Sequence, residues 1–468
     1  MTALWTMAEA VAATGGSALG AWAATGVAID SRTLSAGDLF VALRGPTHDA
    51  HAFVADALKA GAAAALVDHR PAGLGDDAPL LLVGDTLHGL EQLGIAGRSR
   101  ARARIVAVTG SVGKTGTKEA LRHVLSRQGH THASAASHNN HWGVPLSLAR
   151  LPAEADFGVF ELGMNHAGEI AVLTRQVRPH VAVVTTVEPA HLEFFGSVEG
   201  IADAKAEIFE GLEPGGAVVL NRDNPQHGRL EARARRDGAA RIVSFGRDPA
   251  ATYRALDADL DADGSTIEAD LGGRRTRYRV GIAGAHWVLN SLAVLAAVDM
   301  LGADVAAAAA ALADLRPPAG RGVRGAVLVA DGTATLLDES YNANPASVRA
   351  ALDVLGRLPG RRVAVLGDMR ELGPTAPDLH AALAGPLQAA GVARLFTCGP
   401  LMARLQAAIP AALRGAHAED SQALLPLVLA ALRDGDVVLV KGSLGSRMAP
   451  IVKALQQGAA AASPRRAG

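Results

Sequence analysis

Residues 105–115 read IVAVTGSVGKT: an apolar run, a glycine-rich turn, and the start of a helical pattern at Lys114. The expected structure is a buried strand that leads through a tight loop into a helix. The first N–H groups of such a helix point at one place, with the positive end of the helix dipole behind them. Lys114 can reach terminal phosphate oxygens there, and Thr115 can ligate Mg²⁺. The stretch therefore predicts a site for nucleotide phosphates.

This loop differs from a standard P-loop. Position 108 is valine, where the standard motif has its first glycine, so the loop is shorter than that of an ordinary kinase or GTPase. A purely structural strand–helix turn is the alternative, because such glycines occur by chance. The pair Lys114-Thr115 in this position favours phosphate binding.

The strand–helix rhythm continues on both sides of the loop, and a chain of 468 residues is too long for one core. FGVFELG, HVAVVTTV and GAVVLN follow the loop as strand candidates, and ATLLDESY, RRVAVLGDM, ARLFTCG and DVVLVKGS come later. Apolar strands that alternate with helices indicate parallel, doubly wound sheets. We predict an α/β fold of three domains: a small N-terminal α/β domain (1–103), a central parallel-sheet domain of the P-loop type (104–315) and a Rossmann-like C-terminal α/β domain (316–468).

Three further expectations concern the domain boundaries. The basic run RSRARAR (98–104) is interpreted as a connector, with a solvated helix face as the alternative. A helix is predicted over residues 287–301. One more helix is predicted over 302–315, and Pro317-Pro318 breaks it.

The composition excludes several classes of function. Lys and Arg total 45 against 46 Asp and Glu, a net charge of -1, so we expect no nucleic-acid partner. Cys398 is the only cysteine, which excludes an intramolecular disulfide and a thiolate zinc site. The N-terminus lacks the pattern of a secretory signal, and apolar stretches are too short to span a bilayer. We therefore expect a cytoplasmic protein without membrane insertion.

Three side chains after the loop are candidates for chemistry. Glu161 ends the strand FGVFE, so its carboxylate should emerge at the edge of the sheet where the loop lies; a solvated carboxylate is the alternative. His191 follows HVAVVTTV at the same edge, although a lone histidine is often structural. Lys205 has the local pattern of an exposed helix lysine.

Several segments carry a resemblance to a known family. TGSVGKTGTK, HNNHWGVPLSL, FELGMNHAGEI and AHLEFFGS…AKAEIF resemble the central domain of the Mur ligases. LLDESYNANPAS and VAVLGDMRELG resemble the C-terminal domain, and DSRTLSAGDLFVALRG…DAHAF is similar to the uridine-nucleotide domain. The likeness runs in order from about residue 26 to residue 448. It is strongest to the branch of the family that joins D-alanyl-D-alanine to UDP-N-acetylmuramoyl-tripeptide through an acyl phosphate.

The resemblance implies roles for individual positions. ATP would be bound by Gly110, Ser111, Val112, Gly113, Lys114, Thr115, Gly116, His286, Asn290, Arg321, Asp338 and Glu339. The catalytic set would be Lys114, Glu161, His191 and Lys205. Mg²⁺, expected as two ions, would be held by Thr115, Glu161, His191 and Lys205, the last as a carbamate. The UDP-linked substrate would contact Ser31, Arg32, Asn139 and Asn140. A monomer is expected.

This chain departs from the family pattern at two places. Asp338-Glu339 stands where many members have Asp-Asp, so the second carboxylate reaches one methylene further toward a ribose. Thr186 and Glu188 stand where relatives often have asparagine and a small residue. The competing interpretations are a folylpolyglutamate synthase, the preceding amino-acid-adding ligase, a P-loop kinase or regulatory NTPase, and a non-enzymatic ATP-binding protein.

Overall fold

The computed structural model describes residues 3–45, 48–135, 138–189 and 192–461. Separate sheets lie within residues 17–82, 104–280 and 323–441, and helices cover them. The predicted α/β fold class is confirmed. Among the described residues, no helix has both the length and the apolar character needed to cross a membrane.

The N-terminal domain contains β1 (Trp5–Thr6), α1 (Met7–Thr14), β2 (Ser17–Leu19), β3 (Ala23–Ala24), β4 (Gly26–Ala28), β5 (Asp38–Val41), α2 (Val54–Lys59), β6 (Ala64–Val67), β7 (Leu80–Leu82) and α3 (Thr86–Arg100). Its main sheet has the order β2-β7-β6-β5-β4. All pairs in it are parallel except β2 with β7. The short strands β5 and β6 are almost continuously apolar, as expected for parallel strands covered on both faces.

The central domain contains β8 (Arg104–Thr109), α4 (Lys114–Leu125), β9 (Thr131–Ala133), α5 (Gly143–Ala149), β10 (Phe157–Glu161), α6 (Glu169–Val177), β11 (Val181–Val184), α7 (Leu192–Phe195), α8 (Val198–Ala206), β12 (Ala217–Asn221), α9 (His227–Arg236), β13 (Arg241–Gly246), β14 (Tyr253–Leu260), β15 (Ser265–Leu271), β16 (Arg275–Val280), α10 (His286–Met300) and α11 (Val305–Ala311). The sheet order is β16-β15-β14-β13-β12-β11-β8-β10-β9. β8 lies between β11 and β10, so the loop after it leaves the middle of the sheet.

The central sheet is only partly parallel. β15 and β16 pair in antiparallel fashion with their neighbours, so antiparallel strands extend the predicted parallel sheet at one edge. The last predicted helix also differs: α11 covers Val305–Ala311 and continues as a 3-10 turn over Leu312–Asp314. α10 begins one residue before the predicted start, and most of its residues are apolar and buried.

The C-terminal domain contains β17 (Val323–Val329), β18 (Gly332–Glu339), α12 (Pro345–Arg357), β19 (Arg361–Gly367), α13 (Ala376–Ala381), α14 (Ala384–Ala389), β20 (Arg394–Cys398), α15 (Met402–Ala408), β21 (Arg414–Ala418), α16 (Ser421–Ala431), β22 (Asp436–Lys441) and α17 (Ala449–Ala461). The sheet order is β17-β18-β22-β19-β20-β21, parallel except for the pair β17–β18. The carboxyl ends of β18, β19 and β22 meet at one edge, where open α/β sheets place their ligands.

The N-terminal and central domains share a hydrophobic core. Leu146 and Ala149 of α5 lie in the same buried cluster as Trp5, and the Trp5 indole donates a hydrogen bond to the Ala149 carbonyl at 2.8 Å. α3 packs so closely on α5 that a Cβ at Gly97 would overlap the Leu148 carbonyl. The buried residues of two further clusters all belong to the C-terminal domain, and from the central domain only the partly buried Ala262 and Ala283 are described as packing against them.

The basic run 98–104 connects α3 to β8, as predicted, but the alternative of a solvated helix face is wrong for Arg98. The run forms the last turn of α3, a short link over 101–103 and the first residue of β8, and Arg98 is only 5% exposed. The Arg98 guanidinium donates to the carbonyls of Val177 and Arg178, each at 2.7 Å, and to Glu213 at 3.1 Å. Arg98 thus fastens the end of α3 to the central domain.

Candidate active site

The phosphate loop owes its shape to two glycines with positive φ. Gly110 has φ +148°, and a Cβ there would overlap the hydroxyl of Thr185. That hydroxyl donates to the carbonyl of Val112 at 2.6 Å and so ties the loop to the end of β11. Gly113 has φ +88° and directly precedes α4. The free N–H groups at the start of α4 therefore open toward the carboxyl edge of the sheet, as an anion site requires.

Lys114 lies at the start of α4. Its ammonium donates to the carbonyl of Gly110 at 2.6 Å. Burial lowers the Lys114 pKa, the negative charge of Glu161 raises it, and the positive charge of Arg321 lowers it. A polyphosphate in the loop would favour the charged form of Lys114, since an opposite charge nearby does so.

Glu161 lies beside the loop, as the sequence predicts. β10 runs parallel to β8 with Glu161 opposite Val108, which brings the carboxylate to the same edge. The side chain is 1% exposed and accepts hydrogen bonds from Thr115 Oγ1 at 2.9 Å and Asn139 Nδ2 at 2.8 Å. A hydroxyl and a carboxylate oxygen held this close are hard ligands of the kind that Mg²⁺ prefers. The residues fit a magnesium site.

Lys205 is buried, and the expectation of an exposed helix lysine is wrong. It lies in the last turn of α8 and is 2% exposed. Within the described part of the chain, its ammonium makes no hydrogen bond or ion pair. Burial, and then the positive charge of Lys114, hold the Lys205 pKa well below its ordinary value. Burial without a counter-ion therefore shifts the amine toward its neutral, nucleophilic form.

The loop after β11 is joined to the phosphate loop. Ser111 Oγ donates to the carbonyl of Glu188 at 3.0 Å and accepts from its N–H at 2.9 Å. Asn224 donates to Thr186 Oγ1 at 3.0 Å and to the Val187 carbonyl at 2.9 Å. The two departures from the family pattern, Thr186 and Glu188, are therefore accommodated without loss of anchoring. His191 lies outside the described residues.

The C-terminal domain contributes the opposite wall of a cleft that the phosphate loop also lines. The Arg321 guanidinium lies 4.5 Å from the centre of the Tyr341 ring. Its positive charge is also close enough to Lys114 to lower the pKa of Lys114. Glu339 forms an ion pair with Lys441 at 3.0 Å and lines the cleft. Asp338 does not line it; its carboxylate accepts the N–H of Ser340 at 3.0 Å.

His286 and Asn290 of α10 line the cleft from the central domain. His286 is exposed to the cleft, yet the dense protein around it lowers its pKa, and the charge of Glu339 acts in the opposite direction. Asn290 Oδ1 would lie 3.0 Å from a Cβ at Gly113, so it contacts the phosphate loop itself. Both residues line the same cleft as the phosphate loop.

The cleft between the central and C-terminal domains has a volume of about 680 Å³. Of the predicted site, it brings together Ser111, Val112, Gly113, Lys114, Thr115, Gly116, Asn139, Glu161, His286, Asn290, Arg321 and Glu339. Ser31 and Arg32 lie in the N-terminal domain, away from this cleft, and Asn140 accepts the N–H of Gly143 at the start of α5. Sequence reasoning missed Lys441, which ends the strand candidate DVVLVK, and Tyr341, whose YNANP motif could have pointed to it.

A phosphate loop on a parallel sheet, a buried acid beside it and a second α/β domain across the cleft define a multidomain, nucleotide-dependent enzyme. Family models match the chain in three places: "Mur ligase family, catalytic domain" over residues 23–81, "Mur ligase middle domain" over 108–298, and "Mur ligase, glutamate ligase domain" over 320–444. The chain belongs to the Mur ligase family.

Individual relatives are similar over nearly the whole chain. The UDP-N-acetylmuramoyl-tripeptide--D-alanyl-D-alanine ligase of Escherichia coli (strain K12) is 37% identical across 92% of this chain and 93% of that protein. The enzyme of the same name from Bacillus subtilis (strain 168) is 32% identical over 92% and 93%. Among solved structures, MurF from Acinetobacter baumannii has a TM-score of 0.84 at 29% identity, covering 97% of this chain and 99% of that one. MurF from Thermotoga maritima in complex with ADP has a TM-score of 0.76 at 25% identity, over 94% and 98%.

Proposed function

We propose that this protein uses ATP to join D-alanyl-D-alanine to UDP-N-acetylmuramoyl-tripeptide, forming the UDP-N-acetylmuramoyl-pentapeptide of peptidoglycan precursor synthesis. The observation that carries the proposal is end-to-end similarity to D-alanyl-D-alanine ligases in a chain whose cleft joins the phosphate loop, Glu161 and the C-terminal wall. A P-loop kinase or regulatory NTPase would need no third domain similar to a ligase domain.

The reaction proceeds through acyl activation. A carboxylate oxygen of the tripeptide attacks the γ-phosphorus of ATP, the bond to the β–γ bridging oxygen breaks, and ADP leaves. The amine of D-alanyl-D-alanine then attacks the carbonyl carbon of the acyl phosphate, loses a proton, and the carbon–oxygen bond to phosphate breaks. Both steps crowd negative charge, so fixed cations at the phosphates lower the barrier.

The nucleotide side of the cleft is assigned to particular residues. The phosphate loop from Gly110 to Gly116 binds the phosphates through its N–H groups, and Lys114 and Arg321 neutralise charge as the phosphoryl group transfers. The Glu339 carboxylate accepts a hydrogen bond from a ribose hydroxyl, and the ion pair with Lys441 holds the carboxylate in place for that role. Asp338 supports the turn behind Glu339.

Thr115 and Glu161 would hold Mg²⁺, and Lys205 would hold a second ion after reaction with CO₂. In that reaction the neutral amine forms a bond to the carbon of CO₂ and releases a proton, so that the cation becomes a carboxylate-like anion. The low pKa and burial of Lys205 support this assignment, because carbamate formation requires the uncharged amine. Bound Mg²⁺ supplies Lewis-acid stabilisation of the phosphoryl oxygens. His191 is assigned to the same metal cluster through the resemblance alone.

The UDP moiety binds to the N-terminal domain through Ser31 and Arg32, and Asn139 and Asn140 contact the sugar side. Arg32 lies 86% exposed and pairs with Asp30 at 2.6 Å, which lowers the Asp30 pKa to about 2. A guanidinium already oriented by a carboxylate, with donors left for a ligand, suits a diphosphate.

Arg32→Ala is expected to raise the KM for the UDP-substrate on the order of 10-fold, the effect of losing a charge-assisted contact. The KM for ATP should stay unchanged, because Arg32 lies outside the ATP cleft. Steady-state kinetics with each substrate varied would measure both constants. Arg70→Ala is the matched control, since Arg70 is another ion-paired arginine of this domain and should change neither KM. A rise in the KM for ATP alone would contradict the assignment of the domain.

The proposed function is tested by phosphate release from ATP with UDP-tripeptide, with and without D-alanyl-D-alanine. Stoichiometric phosphate and a pentapeptide product should form only when the dipeptide is present. Phosphate release that is independent of an amine acceptor would instead support a regulatory NTPase. Sedimentation of the same sample would test the proposed monomer.

A further inference from the structure

The C-terminal wall of the cleft presents a cation that the steps above do not use. Arg370 follows β19 in the segment GDMRELG, is exposed and lines the cleft. Its guanidinium makes no hydrogen bond or ion pair with the described part of the chain. The other cations of the cleft are engaged: Lys114 with the phosphate loop, Lys441 with Glu339, and Arg321 with Tyr341.

Arg370 is nevertheless held in position. Its N–H donates to Ser443 Oγ at 2.9 Å, and the Ser443 hydroxyl donates to the carbonyl of Ala343 at 3.2 Å. Ser443 is 5% exposed, so this link is inside the protein. The guanidinium rests on the bare backbone of the loop after β22, because a Cβ at Gly445 would lie 2.7 Å from Arg370 Cζ. The site is therefore built from two loops that share one serine.

An apolar surface lies next to this cation. Leu444, between Ser443 and Gly445, is 67% exposed and also lines the cleft. A leucine this exposed at the mouth of a cleft points to an apolar ligand group. A cation beside a small apolar surface matches the carboxyl end of a short peptide of alanines, which has one carboxylate and methyl side chains.

We propose that Arg370 binds the terminal carboxylate of the incoming D-alanyl-D-alanine, with Leu444 against a methyl group of the dipeptide. This inference rests on the proposed function. The carboxylate does not react, so an anchor there orients the dipeptide with its amine toward the central-domain wall, where the acyl phosphate forms. A planar guanidinium is suited to a carboxylate because it offers two parallel hydrogen bonds.

The test compares two acceptors, D-alanyl-D-alanine and its C-terminal amide, in the wild-type enzyme and in Arg370→Ala. The wild type should prefer the acid, whereas Arg370→Ala should raise the KM for the acid roughly 10- to 100-fold and leave the amide almost unaffected. The KM values for ATP and UDP-tripeptide should not move. Arg370→Lys should restore part of the preference, because it returns the charge without the planar fork.

Arg404→Ala is the matched control: Arg404 is an exposed arginine of the same domain outside the cleft lining, and its loss should leave the acid–amide ratio unchanged. An unaltered acid–amide ratio in Arg370→Ala would overturn the inference. So would a rise confined to the KM for UDP-tripeptide, which would assign Arg370 to a carboxylate of that substrate. Failure of the proposed function looks different, since the wild type would then ligate neither acceptor.

Discussion

Lys205→Ala is expected to reduce ligation by at least about 100-fold at ambient CO₂, while the protein stays folded. The reason is that the working form of Lys205 is proposed to be an anion that holds a metal ion, and alanine supplies no ligand. An exposed structural lysine would behave differently, because surface substitutions shift stability within about 0.5 kcal/mol and leave activity alone. Burial of Lys205 at 2% exposure already argues against that alternative.

Short carboxylates make the test specific. Formate or acetate can enter the space left by the Lys205 side chain and replace the missing anion, so added carboxylate should partly restore turnover of Lys205→Ala. Lys453→Ala, which removes an exposed helix lysine of the C-terminal domain, should be fully active and unaffected by either anion. Full activity of Lys205→Ala without added carboxylate would remove Lys205 from the site.

Lys114→Ala is expected to abolish most of the ligation with the fold retained. Loss of one cation at the transferring phosphoryl group commonly costs on the order of 3 kcal/mol, or about 100-fold in kcat. Among the described residues, the side chain makes one hydrogen bond, to Gly110, so thermal unfolding should change little. Turnover and the unfolding midpoint, measured on the same preparation, separate the two effects. Near-normal turnover in a folded Lys114→Ala protein would refute the assignment of this loop.

The loop and Glu161 could be predicted because both follow from local pattern and one rule of sheets. An apolar strand followed by glycine and a helix start defines β8 and α4. The carboxyl ends of parallel strands meet at one edge, so a glutamate that ends β10 must lie near a loop that ends β8. Thr115 and Glu161 are then neighbours by register rather than by chance.

Lys205 could not be placed from pattern alone. Its helix is flanked by charged residues, and only tertiary packing decides that this face is buried. Arg98 is similar: a basic run predicts a solvated surface, whereas the carbonyls that receive its guanidinium lie about 80 residues away in sequence. Local sequence propensity does not indicate which polar side chains become buried, because their partners are brought near only by the tertiary fold.

The strands β14–β16 were missed for a different reason. Continuously apolar runs predict β8, β10, β11 and β12 of this sheet, whereas β15 alternates buried and partly exposed residues along STIEADL. Such alternation is typical of an antiparallel strand with one face on the core. The alternating pattern is present in the sequence, but the predicted parallel sheet did not include these strands.

Because the N-terminal and central domains share the core around Trp5, we expect the chain to unfold on heating as two cooperative units. Leu146 and Ala149 complete a cluster that belongs to the N-terminal domain, so melting either domain exposes apolar surface of the other. Residues 1–103 should not fold alone, whereas the C-terminal domain, with its own clusters, should melt separately. Differential scanning calorimetry should resolve two transitions, and a nucleotide that bridges the cleft should draw them together.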